Sequence, residues 1–288
     1  MDAKDFSQGC DLINKNLVNL EVNRAFNSIG SNIFFEFGKE KEVFFKNGKK
    51  SIQKEWSIWI GNSSWRMSEK GKYVVGSGDS PQTIQTNIQK LLGKRFKSFC
   101  FFSQFLDVEF DFENECRLTT FFNWREEDQW TVFLPDRTNI GADCASLEEI
   151  KNIQSIASGI SIIKNYKKLD FKESVLSEIF YDQHLQPNFR FENDFFINLE
   201  NCTWRLEKDE DYLVGYLDRD QEEVKYKMSG LIGKKLKQID VLNPMMDARF
   251  QFENQYVLKT FSCCQRVNQW NITSQGVPIF RACIEIGV

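Results

Sequence analysis

Apolar and polar residues alternate with a period of two along much of the chain, which predicts half-buried strands. Every second residue is apolar over 56–60 and again over 108–112. Asn47-Gly48 stands between two extended apolar runs, and this dipeptide is the strongest short hairpin signal. Between Leu17 and Phe37, two strands are predicted around a turn at 30–32. The pattern therefore predicts antiparallel hairpins and meanders.

A three-residue hairpin loop is predicted at Glu113-Asn114-Glu115. The strands near 106–112 and 116–122 each carry one apolar face, and these faces coincide only if residue 112 lies opposite residue 116. A two-residue loop would place Leu118 on the side of the sheet away from Phe110. Asn114 suits the loop because asparagine tolerates a left-handed backbone.

A helix of about 12 residues is predicted after Ser80, because apolar residues recur at helical spacing over 84–92. Ser80 is a good N-cap, and Pro81 is tolerated at the first helical position. Gly93 is placed as the C-terminal stop. A second helix, with Asp220 as its N-cap, is predicted at the matching place in the second half of the chain.

The chain uses one 40-residue stretch twice. Residues 91–130 and 231–270 align without a gap at an offset of 140, and 14 of the 40 positions are identical. In the first copy these are Leu91, Gly93, Lys94, Lys97, Asp107, Phe110, Phe112, Glu113, Asn114, Leu118, Thr120, Phe121, Gln129 and Trp130. Residues 62–67 are likewise repeated at 201–206. The repetition predicts a duplicated domain.

We predict an α+β fold with two homologous domains, each an antiparallel, strongly twisted β-sheet with one packed α-helix. A connecting helix is predicted at 147–157, because Ser146 and Glu149 form a capping box and apolar residues follow at helical spacing. The predicted parts are an N-terminal lead-in at 1–16, a first domain at 17–137, a linker with the helix at 138–164 and a second domain at 165–288.

Composition and charge narrow the classes of function. The chain has 288 residues, of which 41% are hydrophobic and 27% charged, as in ordinary folded proteins. Its net charge of −4 gives no global basic field that would attract nucleic acid or an anionic membrane. No apolar run reaches the length of a membrane span, and the acidic N-terminus does not match a signal peptide. We therefore expect a cytoplasmic protein with reduced cysteines and no membrane contact.

The residue patterns do not point to catalysis, a metal or a cofactor. The chain has one histidine, His184, and a position in a surface loop explains it more simply than an acid–base role. Cys263 and Cys264 are adjacent, so on a strand their side chains would point to opposite faces. The turn at 76–79 would either present amides to an anion or join a strand to a helix. We expect no catalytic residue, no metal site and no cofactor.

Two Trp-Arg pairs recur in the repeat and are candidate binding residues. They are Trp65-Arg66 and Trp204-Arg205, and both residue types are enriched in interface hot spots. The alternative is structural: each tryptophan anchors a core, and each arginine is exposed or stacked on its edge. The sequence leaves both interpretations open.

A partner-specific surface is expected where the two copies differ, since shared residues hold the fold. In the first copy the differences are the charged hairpin Lys39–Glu55 and the segment that begins Trp124, Arg125, Glu126 and Glu127. In the second copy they are Glu207–Asp211 and Gln183–Pro187. If the partner is a nucleic acid, a pseudo-twofold groove between the repeats would carry the basic rim Lys94, Arg95, Lys97, Lys234, Lys235 and Lys237.

The chain resembles a loosely defined group of small bacterial proteins through the succession WR(M/L)…VGS.D…LIGK…(L/V).F.FEN..L.TF…QW, over about 56–133 and 195–273. Those proteins carry one copy of the pattern, and they resemble immunity or antitoxin components and accessory proteins of anti-phage loci. The resemblance brings no catalytic motif. It implies a non-enzymatic module that binds a protein partner, either a toxin or a defence-complex component. Binding of a nucleic acid or a nucleotide between the repeats is the alternative.

Overall fold

Antiparallel β-sheets dominate the computed structural model of the chain, and helices accompany them. The structure describes residues 11–44, 48, 50–101, 103, 105–124, 128–136, 139–142, 167–169, 173–265 and 268–283. The described helices are α1 (11–17), α2 (Pro81–Ile88) and α3 (Gln221–Ser229). This β-rich architecture is compatible with the predicted α+β class.

The first ten strands form two five-stranded sheets, with the orders β1-β2-β3-β9-β10 and β5-β4-β8-β7-β6. Their bounds are β1 Val22–Asn27, β2 Ile33–Phe44, β3 Lys50–Ile60, β4 Ser64–Glu69, β5 Lys72–Gly76, β6 Phe96–Phe101, β7 Val108–Phe112, β8 Cys116–Phe121, β9 Trp130–Phe133 and β10 Asn139–Ala142. Aromatic residues fill the core between these strands. Phe35, for example, meets Phe110 and Phe112 edge-on at ring-centroid distances of 5.7 and 5.8 Å.

The remaining strands form one sheet with the order β16-β15-β19-β18-β17-β12-β13-β14-β20-β21, and β11 also pairs with β17. Their bounds are β11 Lys167–Lys168, β12 Ser174–Tyr181, β13 Pro187–Phe191, β14 Phe195–Leu199, β15 Cys202–Lys208, β16 Asp211–Gly215, β17 Lys235–Val241, β18 Ala248–Phe252, β19 Tyr256–Ser262, β20 Asn268–Ser274 and β21 Val277–Cys283. Trp204 and Trp270 are both buried in the apolar core of this sheet.

The chain divides into two compact units that do not follow the sequence halves strictly. The first unit comprises Met1–Lys70, Val75–Phe121 and Glu126–Ser161. The second unit comprises Gly71–Val74, Phe122–Arg125 and Ile162–Val288. Two short segments from the first half of the chain therefore belong to the second unit.

The predicted three-residue loop is confirmed. Phe112 lies opposite Cys116 in the β7–β8 pair, and Asn114 and Glu115 adopt left-handed backbones with φ of 60° and 55°. The β18–β19 loop repeats this geometry, with φ of 57° at Asn254 and 60° at Gln255. The turn predicted at Asn47-Gly48 falls partly outside the described residues, but the strands beside it pair with Phe44 opposite Lys50.

Both predicted helix starts are confirmed. The Ser80 side chain accepts a hydrogen bond from the Thr83 amide at 3.2 Å, and Pro81 begins α2. The Asp220 carboxylate caps α3 by accepting from the Glu222 and Glu223 amides at 3.0 Å. Helix α2 is shorter than predicted, because the turn Gln89–Leu91 tightens into a 3-10 helix before the chain leaves it.

Hydrogen bonds align a further stretch of the two halves, which precedes the repeats found in the sequence. The Gly93 amide donates to the Val22 carbonyl at 2.9 Å, and the Gly233 amide donates to the Leu176 carbonyl at 2.8 Å. A bulge follows Val22 in the β1–β2 pair, and another follows Leu176 in the β12–β13 pair. Residues 22–37 therefore correspond to 176–191, at an offset of 154.

Two stretches differ from the sequence predictions. The first strand predicted between Leu17 and Phe37 begins only at Val22, because 11–17 is helical and buries Leu17. Residues 139–142, predicted as linker, form strand β10 on β9 and bury Ile140. The predicted connecting helix at 147–157 lies outside the described residues.

Candidate functional site

The two Trp-Arg pairs are buried. Trp65 and Trp204 are 0% and 1% exposed, and Arg66 and Arg205 are 3% and 1% exposed. The Trp65 indole donates to the Ser31 carbonyl at 2.8 Å. Both tryptophans thus occupy the core positions that the structural alternative assigned to them. Its expectation of an exposed arginine is wrong, since both arginines are buried, and Arg205 is held there by an ion pair with Glu207.

Arg205 belongs to a buried charge network in the second unit. Its Nε donates to Glu207 at 2.6 Å, and its guanidinium also donates to the Phe122 carbonyl at 3.1 Å. Lys259 approaches the other oxygen of Glu207 at 2.8 Å. At the positions of Glu207 and Lys259 the first copy has Ser68 and Thr119. The network is therefore specific to one copy, although its burial gives it a structural role.

The basic rim predicted for nucleic acid is largely occupied by ion pairs. Lys94 contacts Glu69 at 2.7 Å, and this hydrogen bond lowers the pKa of Glu69. The other rim pairs are Arg95–Glu21 at 3.4 Å, Lys97–Glu113 at 3.5 Å, Lys235–Glu173 at 3.8 Å, Lys237–Glu173 at 3.4 Å and Lys237–Glu253 at 3.3 Å. Adjacent carboxylates therefore offset most of the positive charge that phosphate binding would need.

Two other segments predicted as partner surfaces are the one that begins at Trp124, which is partly described, and residues 207–211. The Arg219 guanidinium lies over the Trp124 ring at 4.6 Å, whereas Arg125, Glu126 and Glu127 lie outside the described residues. Residues 207–211 contain a two-residue turn in which Lys208 pairs with Asp211.

His184 lies in an exposed turn and contacts groups that shape that turn. Its amide donates to the Asp182 carboxylate at 2.7 Å, and the Gln186 amide donates to the same oxygen at 2.9 Å. Among the described residues, no group of three or more His, Cys, Asp or Glu side chains has the arrangement of a metal site. The contacts around His184 therefore stabilise the conformation of this turn.

The hairpin of β2 and β3 extends as an arm, residues 38–55, beyond the sheet that holds its base. Phe37 pairs with Trp56, and a bulge between Phe37 and Glu40 starts the arm, with Gly38 in a left-handed conformation at φ 80°. The corresponding hairpin of the second copy turns within three residues after Phe191. The first hairpin therefore carries an arm that the corresponding hairpin lacks.

Both outer edges of the arm lack a pairing strand in the described sheet. Strand β1 pairs with β2 only as far as Phe37, and β9 pairs with β3 only from Ser57 onward. The arm contains six lysines and three glutamates. Its internal contacts are Lys50–Glu42 at 2.5 Å, Lys54–Glu40 at 3.3 Å and the Lys39 amide with the Glu55 carboxylate at 3.2 Å. The arm thus carries an excess of positive charge in an acidic chain.

A cavity of about 280 Å³ lies in the second unit and was not predicted from the sequence. Its walls include Trp204, the turn residues His184 and Leu185, and residues that lead into helix α3, among them Leu217 and Asp218. The Trp204 indole nitrogen is buried and has no hydrogen-bond partner. The sequence feature that could have indicated the cavity is a difference between the copies, since His184-Leu185 stands where the first copy has Gly30-Ser31.

Glu109 is a half-buried carboxylate in the first unit whose protonation depends on its surroundings. Burial raises its pKa from an ordinary value of 4.5 to about 7, and Arg117 at 3.1 Å partly offsets the effect. Burial likewise raises the pKa of the nearby Cys100 thiol to about 11, so this thiol is a poor nucleophile. These shifts follow from desolvation of individual groups.

Replacing Glu109 by glutamine should stabilise the protein above neutral pH. The folded chain binds a proton on Glu109 between pH 4.5 and about 7 that the unfolded chain lacks, so stability falls as pH rises through this window. The substitution should recover at most about 3 kcal/mol at about pH 8 and almost nothing at about pH 4. Urea unfolding at both pH values checks this, with Glu115→Gln as the control. An equal effect of Glu109→Gln at both pH values would contradict the assignment.

The described residues contain no helix long and apolar enough to cross a membrane. Among the described residues, the arm in the first unit and the cavity in the second are two features specific to one copy. Comparison with known proteins found no matching family model, no matching curated protein and no matching solved structure.

Proposed function

We propose that the chain is a non-enzymatic protein-binding module made of two homologous domains, and that the arm at 38–55 is its docking element. The resemblance noted in the sequence suggests the setting, a bacterial immunity, antitoxin or anti-phage system in the cytoplasm. The partner is then a toxin or a component of a defence complex. No chemical step is assigned to the chain.

The duplication is supported by details that chance similarity does not explain. The Val108 amide donates to the Thr120 hydroxyl at 3.0 Å, and the Ala248 amide donates to the Thr260 hydroxyl at 3.0 Å. The indole of Trp130 donates to the Leu106 carbonyl at 3.1 Å. In the second copy, the indole of Trp270 donates to the Met246 carbonyl at 2.8 Å, again 24 residues earlier in the chain. Conserved side-chain contacts of this kind support descent from one domain.

The observation that carries the docking proposal is that the matching hairpin of the second copy is built without an arm. The second copy joins the same two strands through residues 192–194, and Phe191 and Phe195 pack at a ring-centroid distance of 5.2 Å across that turn. A two-stranded ribbon without further partners is marginally stable in water. The arm adds 15 residues relative to the turn at 192–194, and those of its residues whose burial is described are exposed or half-buried, so a partner that it binds best explains the insertion.

The edges and charges of the arm indicate how a partner binds. Unpaired strand edges are ready to accept an added strand, and proteins usually shorten or cover such edges. Here the edges are long, and the charges on the arm keep them soluble. The excess of lysine favours an acidic partner surface and raises the rate of association with it. The proposed complex is therefore an antiparallel or parallel strand addition to β2 or β3.

Nucleic-acid binding was the alternative hypothesis from the sequence, and it receives less support. Most of the predicted basic rim is paired with Glu21, Glu69, Glu113, Glu173 and Glu253. An anionic polymer would have to displace these carboxylates before it contacted the lysines. A protein partner needs no such displacement, since it would pair with the backbone of the arm.

Exchanging the arm for the short turn of the second copy tests the proposal. Residues 38–55 are replaced by Glu-Asn-Asp, the residues found at 192–194. The variant should fold with an almost unchanged Tm and lose at least about tenfold in affinity, or about 1.4 kcal/mol, for the protein that the wild-type chain binds. The measurement is a binding titration against purified products of the neighbouring genes.

A matched control removes two rim cations, Lys97→Ala with Lys237→Ala, and leaves the arm intact. It should bind the partner as the wild-type chain does. Equal binding by the arm-exchanged and wild-type chains would place the docking surface elsewhere, and unfolding of the exchanged chain would show that the arm holds the fold. If no neighbouring gene product binds the wild-type chain, the proposed setting is wrong.

A further inference from the structure

We infer that the cavity beside Trp204 binds a small neutral molecule whose carbonyl oxygen accepts a hydrogen bond from the Trp204 indole. This site is separate from the arm and does not depend on the proposed partner. The inference rests on an unused donor, on a difference between the two copies and on the composition of the cavity walls.

The unused donor is the Trp204 indole N–H. Trp204 is 1% exposed, lines the cavity, and its Nε1 is buried without a hydrogen-bond partner. Native proteins pair nearly all buried polar groups, because an unsatisfied donor forfeits its hydrogen bond to water. A buried tryptophan usually finds an acceptor for this N–H. The missing acceptor is therefore the feature that a ligand would supply.

The first copy shows the acceptor that the second copy lacks. Trp65, which corresponds to Trp204, donates to the Ser31 carbonyl at 2.8 Å. The surrounding turns close alike, with amide-to-carbonyl bonds of 2.8 Å from Ser28 to Asn32 and 3.1 Å from Asp182 to Gln186.

Inside these turns the backbone differs by one position. The left-handed residue is Gly30 in the first copy, with φ of 63°, and Leu185 in the second, with φ of 60°. Leu185 corresponds to Ser31, not to Gly30. The second copy thus has a different backbone path at the residue whose carbonyl serves the indole in the first copy.

The walls select a neutral and partly apolar ligand. Leu217 and Val224 contribute apolar surface, and the Asp218 carboxylate is held by the Gly215 amide at 2.8 Å and the Tyr212 hydroxyl at 2.9 Å. Asp182 and Asp220 add negative charge at the turn and at the N-cap of α3. Arg219, the cation in the wall, is stacked on Trp124. The lining itself holds one carboxylate, Asp218, and one guanidinium, Arg219, so a neutral acceptor fits best.

Size and access are consistent with a small ring. The cavity of about 280 Å³ equals the liquid volume of roughly nine waters at about 30 Å³ each. The Trp204 indole nitrogen is itself buried, so a ligand reaches it only when the wall that covers it opens locally. Of the lining residues, His184, Leu185 and Arg219 are exposed, with Leu185 at 43%.

The test follows the Trp204 indole N–H signal by NMR in the full chain, with the signal assigned from the Trp204→Phe variant. Three probes are titrated at equal millimolar concentrations: 2-pyridone, which is neutral with a carbonyl, benzene, which lacks an acceptor, and benzoate, which is anionic. We expect 2-pyridone to shift the signal downfield and to bind at least about tenfold more tightly than the other two, which is the effect of one good hydrogen bond.

Two variants separate the hydrogen bond from the fold. Trp204→Phe should reduce 2-pyridone affinity to that of benzene. The double variant His184→Gly with Leu185→Ser carries the Gly-Ser dipeptide of the first copy, and it should lose 2-pyridone binding with an equal or higher Tm. If Trp204→Phe does not fold, the signal is assigned by triple-resonance NMR of the wild-type chain, and the double variant decides.

Several results would overturn the inference. These are no shift with 2-pyridone, equal binding of benzene, tighter binding of benzoate, or 2-pyridone binding that survives the Gly-Ser graft. The arm-exchanged chain should bind 2-pyridone as the wild-type chain does. Failure of the cavity proposal is therefore distinguishable from failure of the docking proposal.

Discussion

Replacing Glu207 by alanine should lower the free energy of unfolding by about 3 kcal/mol, because it removes one partner from a buried ion pair. Arg205 is 1% exposed and donates to Glu207 at 2.6 Å, and Lys259 contacts the same carboxylate at 2.8 Å. Without Glu207 the guanidinium loses this carboxylate in a place that water does not reach. The midpoint of urea unfolding measures the effect.

The matched control for Glu207 is provided by the first copy. Ser68 stands at the corresponding position on β4, is 4% exposed, and carries no charge. Ser68→Ala should therefore change the free energy of unfolding by less than about 1 kcal/mol. If both substitutions cost the same, the loss would come from packing and not from the buried charge.

Replacing Gly215 by alanine should cost about 3 kcal/mol, because the new methyl group has no space. A Cβ at this position would lie 2.5 Å from the Asn123 carbonyl oxygen and 2.5 Å from the Tyr212 hydroxyl. The same carbonyl accepts a hydrogen bond from the Leu217 amide at 3.1 Å, so moving it away would weaken that bond as well. Thermal unfolding of the variant measures the cost.

Gly233→Ala is the control, because Gly233 is favoured by its backbone conformation and a side chain there would not clash. Gly233 has a left-handed backbone with φ of 80°, and a Cβ there would meet no atom within 4 Å. Its replacement should cost about 1–2 kcal/mol, the usual penalty of that conformation. A cost for Gly215→Ala no larger than this would mean that the Asn123 carbonyl yields easily.

Interactions between residues close in sequence made part of the fold predictable. The loop at 113–115 followed from matching two apolar faces, and the starts of α2 and α3 followed from their N-caps. In each case the deciding residues lie within about a dozen positions of one another. The strands of the repeat were predictable for the same reason, since a period of two is visible in a short window.

Long-range contacts made the rest unpredictable from the sequence. The second unit includes Phe122–Arg125, whose contacts with Arg205 and Gly215 join residues more than 80 positions apart. Sequence pattern could not show that Arg205 is buried, so it remained a binding candidate beside Trp204. The arm was visible as a charged hairpin, but only the strand pairing shows that its edges have no neighbouring strand among the described residues.

The cavity illustrates a second limit. Its key signal is a two-residue difference, Gly30-Ser31 against His184-Leu185, in a stretch that sequence comparison left unaligned. Hydrogen bonds of the strands supplied the alignment, and the missing acceptor then became visible. Comparing the two copies within one chain thus identifies candidate sites at positions where the local structure of one copy differs from that of the other.

The measurement that tests the central claim most directly is amide hydrogen exchange of the full chain with and without its protein partner. If the partner adds a strand to the arm, amides within Lys39–Phe44 or Lys50–Trp56 should exchange more slowly in the complex, by at least about tenfold, because they gain backbone hydrogen bonds. Unchanged exchange along both arm strands, together with protection of another surface, would contradict the account.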